Sequence, residues 1–83
     1  RSVAEFEFKL QQLSMGMSDG AIVQWYKQEG DRVDPGEPLV EVDTGKVNQD
    51  VESPEPGTLL RIVAQPEDVI DIGAVMCVIE TDS

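Results

Sequence analysis

The chain has no histidine and a single cysteine, Cys77. A Ser-His or Cys-His nucleophilic pair therefore cannot form within it, and neither can a zinc site of the usual Cys/His kind. One cysteine builds no disulfide framework. Cys77 lies in the apolar run Val75-Met76-Cys77-Val78-Ile79, where a small core residue is expected rather than a reactive thiol. Aromatics are few: Phe6, Phe8, Trp25 and Tyr26. The core must then come from Val, Ile and Leu, which favour strands. Bases are scarce too. Six Lys and Arg face 17 Asp and Glu, a net charge of −11. Such a field repels nucleic acid and anionic membranes and suits basic partner surfaces. No apolar stretch approaches the ~18 residues that a membrane-spanning helix needs.

What remains is an 83-residue chain, enough for one small domain over residues 1–83. It opens with Arg1-Ser2, so a piece of a longer protein is expected. Gly, Pro and Asp clusters punctuate short apolar runs, among them Asp19-Gly20, Glu29-Gly30-Asp31, Pro35-Gly36, Thr44-Gly45 and Pro54-Glu55-Pro56-Gly57. This spacing predicts many short strands. We place them near residues 5–11, 21–26, 38–43, 47–52, 58–63 and 74–80, with shorter extended pieces near 32–33 and 69–70.

Shifted by 37 residues, the sequence matches itself. Gly20 falls on Gly57, Gln28 on Gln65, Asp31 on Asp68, Asp34 on Asp71, Gly36 on Gly73 and Thr44 on Thr81. Ile22 meets Leu59, Val33 meets Ile70, Leu39 meets Met76 and Val42 meets Ile79. Without any gap, Lys9-Leu10-Gln11-Gln12 would fall on Lys46-Val47-Asn48-Gln49. The halves, about 5–44 and 45–81, cannot each bury a face alone. Packed by a pseudo-two-fold they make an all-β flattened barrel or sandwich with one core.

At the junction, Val40 and Val42 alternate with Glu41 and Asp43, and Val47 and Val51 with Asn48, Asp50 and Glu52. Two half-buried strands are expected, joined by a two-residue loop, Gly45-Lys46. Glycine at the first central position is what a type II′ turn requires. Lys46 would stand at the tip, the only cation between Arg32 and Arg61, among Glu41, Asp43, Asp50, Glu52 and Glu55. Nearby carboxylates would favour its protonated form. The paired acids Asp31/Asp34 and Asp68/Asp71 could be imagined as acid/base groups, but their repetition at matching turns points to turn chemistry.

Asp43-Thr44-Gly45-Lys46-Val47, with Ser53-Pro54 and Gly57 downstream and Met17-Ser18-Asp19-Gly20, Trp25 and Glu29-Gly30-Asp31-Arg32-Val33 upstream, resembles the lipoyl and biotinyl carrier family over nearly the whole chain. The resemblance implies two four-stranded antiparallel sheets and a covalent cofactor on Lys46. Lipoyl members show an acid, Thr or Ser, Asp, the lysine and a small apolar residue; Asp43, Thr44 and Val47 fit, while Gly45 stands where Asp is usual. Biotinyl members flank the lysine with methionines, absent at Gly45 and Val47. Lipoate on Lys46 is thus the cofactor the resemblance favours, with Asp43, Thr44, Gly45 and Val47 presenting the lysine and loop residues near 14–19 helping a partner choose the domain. No catalytic residue and no metal is implied: the domain is a carrier within a dihydrolipoamide acyltransferase chain. The partners implied are a lipoate ligase or lipoyl transferase, a thiamine-diphosphate-dependent dehydrogenase, the acyltransferase core and dihydrolipoamide dehydrogenase, with no nucleic acid or membrane. The isolated domain would be a monomer from bacterial cytoplasm or mitochondrial matrix. Two alternatives stay open: a biotinyl carrier of a carboxylase, and an unmodified adaptor module of the same fold.

Overall fold

The computed structural model describes residues 4–81. Eight strands follow one another: β1 (Ala4–Lys9), β2 (Asp19–Trp25), β3 (Arg32–Val33), β4 (Pro38–Asp43), β5 (Asn48–Glu52), β6 (Gly57–Ile62), β7 (Val69–Asp71) and β8 (Val75–Thr81). They form two antiparallel four-stranded sheets, in the orders β1-β8-β6-β3 and β5-β4-β2-β7. All eight expected extended pieces are present, within two residues at every end. The body measures 43 × 20 × 20 Å.

The inner faces alternate as half-buried strands must. Ile22, Leu39, Val40, Val42, Leu59, Met76, Cys77 and Ile79 are buried together with Phe8, Leu10 and Val33. The single cysteine is one of these core side chains, and burial pushes its thiol up to about 12. Such a group stays protonated and unreactive near neutral pH.

The two halves exchange matching bonds across their seam. Gly30 N–H donates to Leu59 O at 2.7 Å, and Glu67 N–H to Ile22 O at 2.8 Å. Leu59 N–H donates to Asp31 O, and Ile22 N–H to Asp68 O, both at 2.9 Å. The Asp31 carboxylate caps Gln28 N–H and the Asp68 carboxylate caps Gln65 N–H, so these acids are turn residues rather than acid/base groups. Each pair is related by the 37-residue shift. Trp25 adds a further seam contact: its indole N–H donates to Ala64 O at 2.8 Å.

The repetition extends to backbone shape. Gly36 and Gly73 have φ of +94° and +93°. Gly30, at +95°, has Glu67 as its counterpart, at +76°. Glu67 holds this left-handed conformation because its turn must donate to Ile22 O as Gly30 donates to Leu59 O.

At the first strand the gapless alignment is corrected. In the sheets Glu5 pairs with Glu80, whereas Asn48 pairs with Asp43, the residue that repeats to Glu80. Glu5 is therefore the counterpart of Asn48, and Lys9 of Glu52, not of Lys46. The relation between β1 and β5 is 43 residues, six more than in the rest of the chain. The excess lies between Lys9 and Gly20, eleven positions apart, whose counterparts Glu52 and Gly57 are five apart. Strand pairing fixes which residues are equivalent, and loops absorb insertions cheaply.

Candidate functional site

The β4–β5 hairpin closes over Thr44-Gly45-Lys46-Val47. Asp43 and Asn48 form its last strand pair. Thr44 N–H donates to Val47 O at 3.0 Å, and the Thr44 hydroxyl donates to the same oxygen at 2.9 Å. Asp43 Oδ1 accepts Gly45 N–H at 2.8 Å. Gly45 takes φ +95°, the left-handed region that glycine supplies in a tight hairpin loop, while Lys46 does not go positive. Thr44 is buried, so its bonds to Val47 tie the turn to the strands from within. This is a stiff support, with side-chain and backbone bonds holding the same four residues.

Lys46 stands exposed on this support. Its Nζ donates to one acceptor, Met15 O, at 3.4 Å. Three of the acids that surround it in sequence are engaged elsewhere. Glu41 accepts from the Gln24 amide at 2.8 Å, Asp50 from the Tyr26 hydroxyl at 2.7 Å and Glu52 from Gly36 N–H at 3.0 Å. The bond to Asp50, with some desolvation and the charges of Asp50 and Glu41, raises the Tyr26 phenol to about 12. Among the described residues the ion pairs are Lys27–Glu37 and Arg32–Asp34, neither of which involves Lys46.

Val47 departs from its expected place. It is 58% exposed and belongs to the turn, not to an inward-facing strand position. The strand begins one residue later because Val47 N–H donates to the Thr44 hydroxyl, at 3.4 Å, and not to the Thr44 carbonyl across the hairpin. Downstream, the Ser53 hydroxyl donates to Glu55 O at 2.6 Å and is buried, which shapes the Ser53-Pro54-Glu55-Pro56 turn. The 10–18 connection reaches the tip: Met15, beside the amine, is 87% exposed. Residue spacing around Lys46 does not reveal this neighbour; it was expected only from the family resemblance, which sets the loop near 14–19 close to the tip.

The biotin/lipoyl family model, described as a biotin-requiring enzyme family, matches residues 7–79. The chain belongs to the biotin/lipoyl carrier family. It is 39% identical over 74 residues to a dihydrolipoyllysine-residue acetyltransferase component of a pyruvate dehydrogenase complex from Corynebacterium glutamicum, covering 89% of this chain and 11% of that protein. It is 40% identical over 73 residues to a succinyltransferase component of a 2-oxoglutarate dehydrogenase complex from Staphylococcus saprophyticus, covering 88% of this chain and 17% of that one. The carrier domain thus spans less than a fifth of these relatives. It superposes on the solution structure of the lipoyl domain of the Azotobacter vinelandii 2-oxoglutarate dehydrogenase complex with a TM-score of 0.73 and 25% identity, covering 93% of this chain and 96% of the other. These relations group it with the lipoyl domains of acyltransferase chains, which are carriers and not catalysts.

Proposed function

We propose that Lys46 bears lipoate in amide linkage and that the domain serves as a swinging-arm carrier in a 2-oxo acid or acetoin dehydrogenase complex. The observation that supports this reading is the exposed amine on a braced hairpin tip, with no carboxylate paired to it among the described residues. Asp43, Thr44 and Gly45 set the turn, and Val47 flanks the lysine on the solvent side. Bound at Lys46, lipoate would supply a dithiolane that accepts acyl groups and electrons. The chain's own contribution is positional. It holds one attachment atom on a braced hairpin tip and raises the effective concentration of the tethered group at each partner.

The partners in this reading are a lipoate ligase or transferase, a thiamine-diphosphate-dependent dehydrogenase, an acyltransferase core and dihydrolipoamide dehydrogenase. The domain would be one segment of a dihydrolipoamide acyltransferase, working as a monomeric unit in bacterial cytoplasm or mitochondrial matrix. Its charge of −11 favours basic docking surfaces on those partners. Lipoate is preferred to biotin because Gly45 and Val47, not methionines, flank the lysine.

The test is intact mass after incubation with lipoate ligase, lipoate and ATP, run beside biotin ligase with biotin. One lipoyl addition, absent in Lys46→Ala, is the expected result. Exclusive biotinylation would move the domain to the other branch of the family. If neither enzyme modified it, the adaptor reading would take over.

A further inference from the structure

The two ends of the β1–β2 connection serve the fold: Leu10 and Met17 enter the core, and Leu10 and Ser18 exchange backbone bonds with residues 72–74. The residues between these ends gather at the tip. Gln12, Leu13, Ser14 and Met15 line an open groove of about 390 Å³. Leu13 packs partly against the core and forms an apolar wall. Met15 is 87% exposed, a larger exposure than that of any other big apolar side chain among the described residues. Covering this thioether surface would be favourable by about 25 cal/mol per Å² of apolar area removed from water. The Ser14 hydroxyl is enclosed and lacks a hydrogen-bond partner among the described residues, a deficit that normally costs free energy. At the groove's rim, Met15 O accepts from Lys46 Nζ at 3.4 Å.

We propose that this groove is a resting site for the acyl arm attached to Lys46, the methylene chain lying along Leu13 and Met15. The inference rests on the carrier reading above and extends it to a place where the arm is held. Acylation leaves one N–H on Nζ, which can keep the bond to Met15 O. It also adds a carbonyl acceptor one bond away, the kind of partner the Ser14 hydroxyl lacks. The methylenes leaving that carbonyl start at the groove's edge, so covering the Met15 thioether requires no rearrangement of the strands. Because the groove is open and short, it holds the arm loosely and releases it to a partner's active site. The occupant is fixed by covalent proximity: no other apolar chain is tethered within a hydrogen bond of this wall.

The arm can be installed without any ligase. In the Lys46→Cys chain, alkylation with N-octyl iodoacetamide places an amide N–H as many bonds from the backbone as Nζ. Cys77 is buried, with its thiol pushed up to about 12, and does not compete near neutral pH. NMR of the alkylated chain should show NOEs from octyl methylenes to the Leu13 and Met15 methyl groups, and backbone shift changes over residues 12–15. Met15→Ser should remove the NOEs to this wall and narrow the octyl lines. Arm lines as narrow as those of the free label, shift changes confined to 45–47, or NOEs only to β4 and β5 would each overturn the proposal. Enzymatic loading failure would count against the lipoyl assignment alone, since the alkylated chain does not depend on it.

Discussion

Gly20 and Gly57 are equivalent in sequence, yet alanine at the two positions should have unequal consequences. Gly57 begins β6, between Thr81 of β8 and Val33 of β3. A Cβ there would overlap the Glu80 carbonyl oxygen and lie 3.0 Å from its carbon and 3.1 Å from Ile79 Cγ2. The Glu80 carbonyl is backbone in the middle of a ladder, so it cannot swing away; β6 and β8 must part. Overpacking costs about 1–3 kcal/mol. Losing one or two ladder bonds adds about 1 kcal/mol each. The sum, about 2–5 kcal/mol, is a large part of the roughly 4–12 kcal/mol expected for a chain of this length at about 0.05–0.15 kcal/mol per residue. At Gly20 the same Cβ meets only side chains: Val42 Cγ1 at 2.8 Å, Met17 Cε at 3.1 Å and Leu10 Cδ2 at 3.3 Å. The methionine end yields readily, and Val42 must shift, so about 1–2 kcal/mol is expected. Urea unfolding followed by Trp25 fluorescence measures both. Equal costs at the two sites, or a Gly57→Ala change under about 1 kcal/mol, would refute the claim that backbone rather than side-chain contact decides.

Other outcomes follow from the same structure. Glu67→Gly should stabilise the fold by about 0.5–1 kcal/mol, because relief of the left-handed strain exceeds the entropy cost of glycine, while Gly30→Ala should destabilise it by about 1 kcal/mol; urea midpoints check both. The Tyr26 phenol should ionise near pH 12 by ultraviolet titration, and Asp50→Asn should lower that value. Its folded value lies above the ordinary 10, so the Tyr26–Asp50 bond supports the fold below pH 10 and loses that contribution as pH rises toward 12. Thr44→Val removes the hydroxyl bond to Val47 O and should cost about 1 kcal/mol, with faster amide exchange at residues 44–48 and slower enzymatic loading of Lys46. Cys77 should resist alkylation in the folded chain near neutral pH and react only under denaturing conditions.

Much of this architecture was readable before any coordinates. The turn residues carried it, because Asp31 and Asp68 or Gly36 and Gly73 do the same local job in each half, and local jobs leave the same letters at the same spacing. The tip was legible for a similar reason: Gly45 before Lys46 is a demand of backbone geometry. The first strand was misaligned because its outward residues repeat no side chain of β5; only hydrogen-bond register relates Glu5 to Asn48. Carboxylates close to Lys46 in sequence proved to serve Gln24, Tyr26 and Gly36, which reach them from other parts of the chain.

The sequence by itself determined the strand pattern, the duplication and the exposed amine, since each follows from short-range rules of alternation and turn chemistry. Tertiary structure alone decided which atoms bond around that amine. Met15 meets Lys46 across 31 positions because β1 and β2 lie in different sheets, and the chain that crosses between them brings Met15 O to the tip. Glu67 likewise accepts a glycine's conformation only because Ile22, from the other half, takes its hydrogen bond.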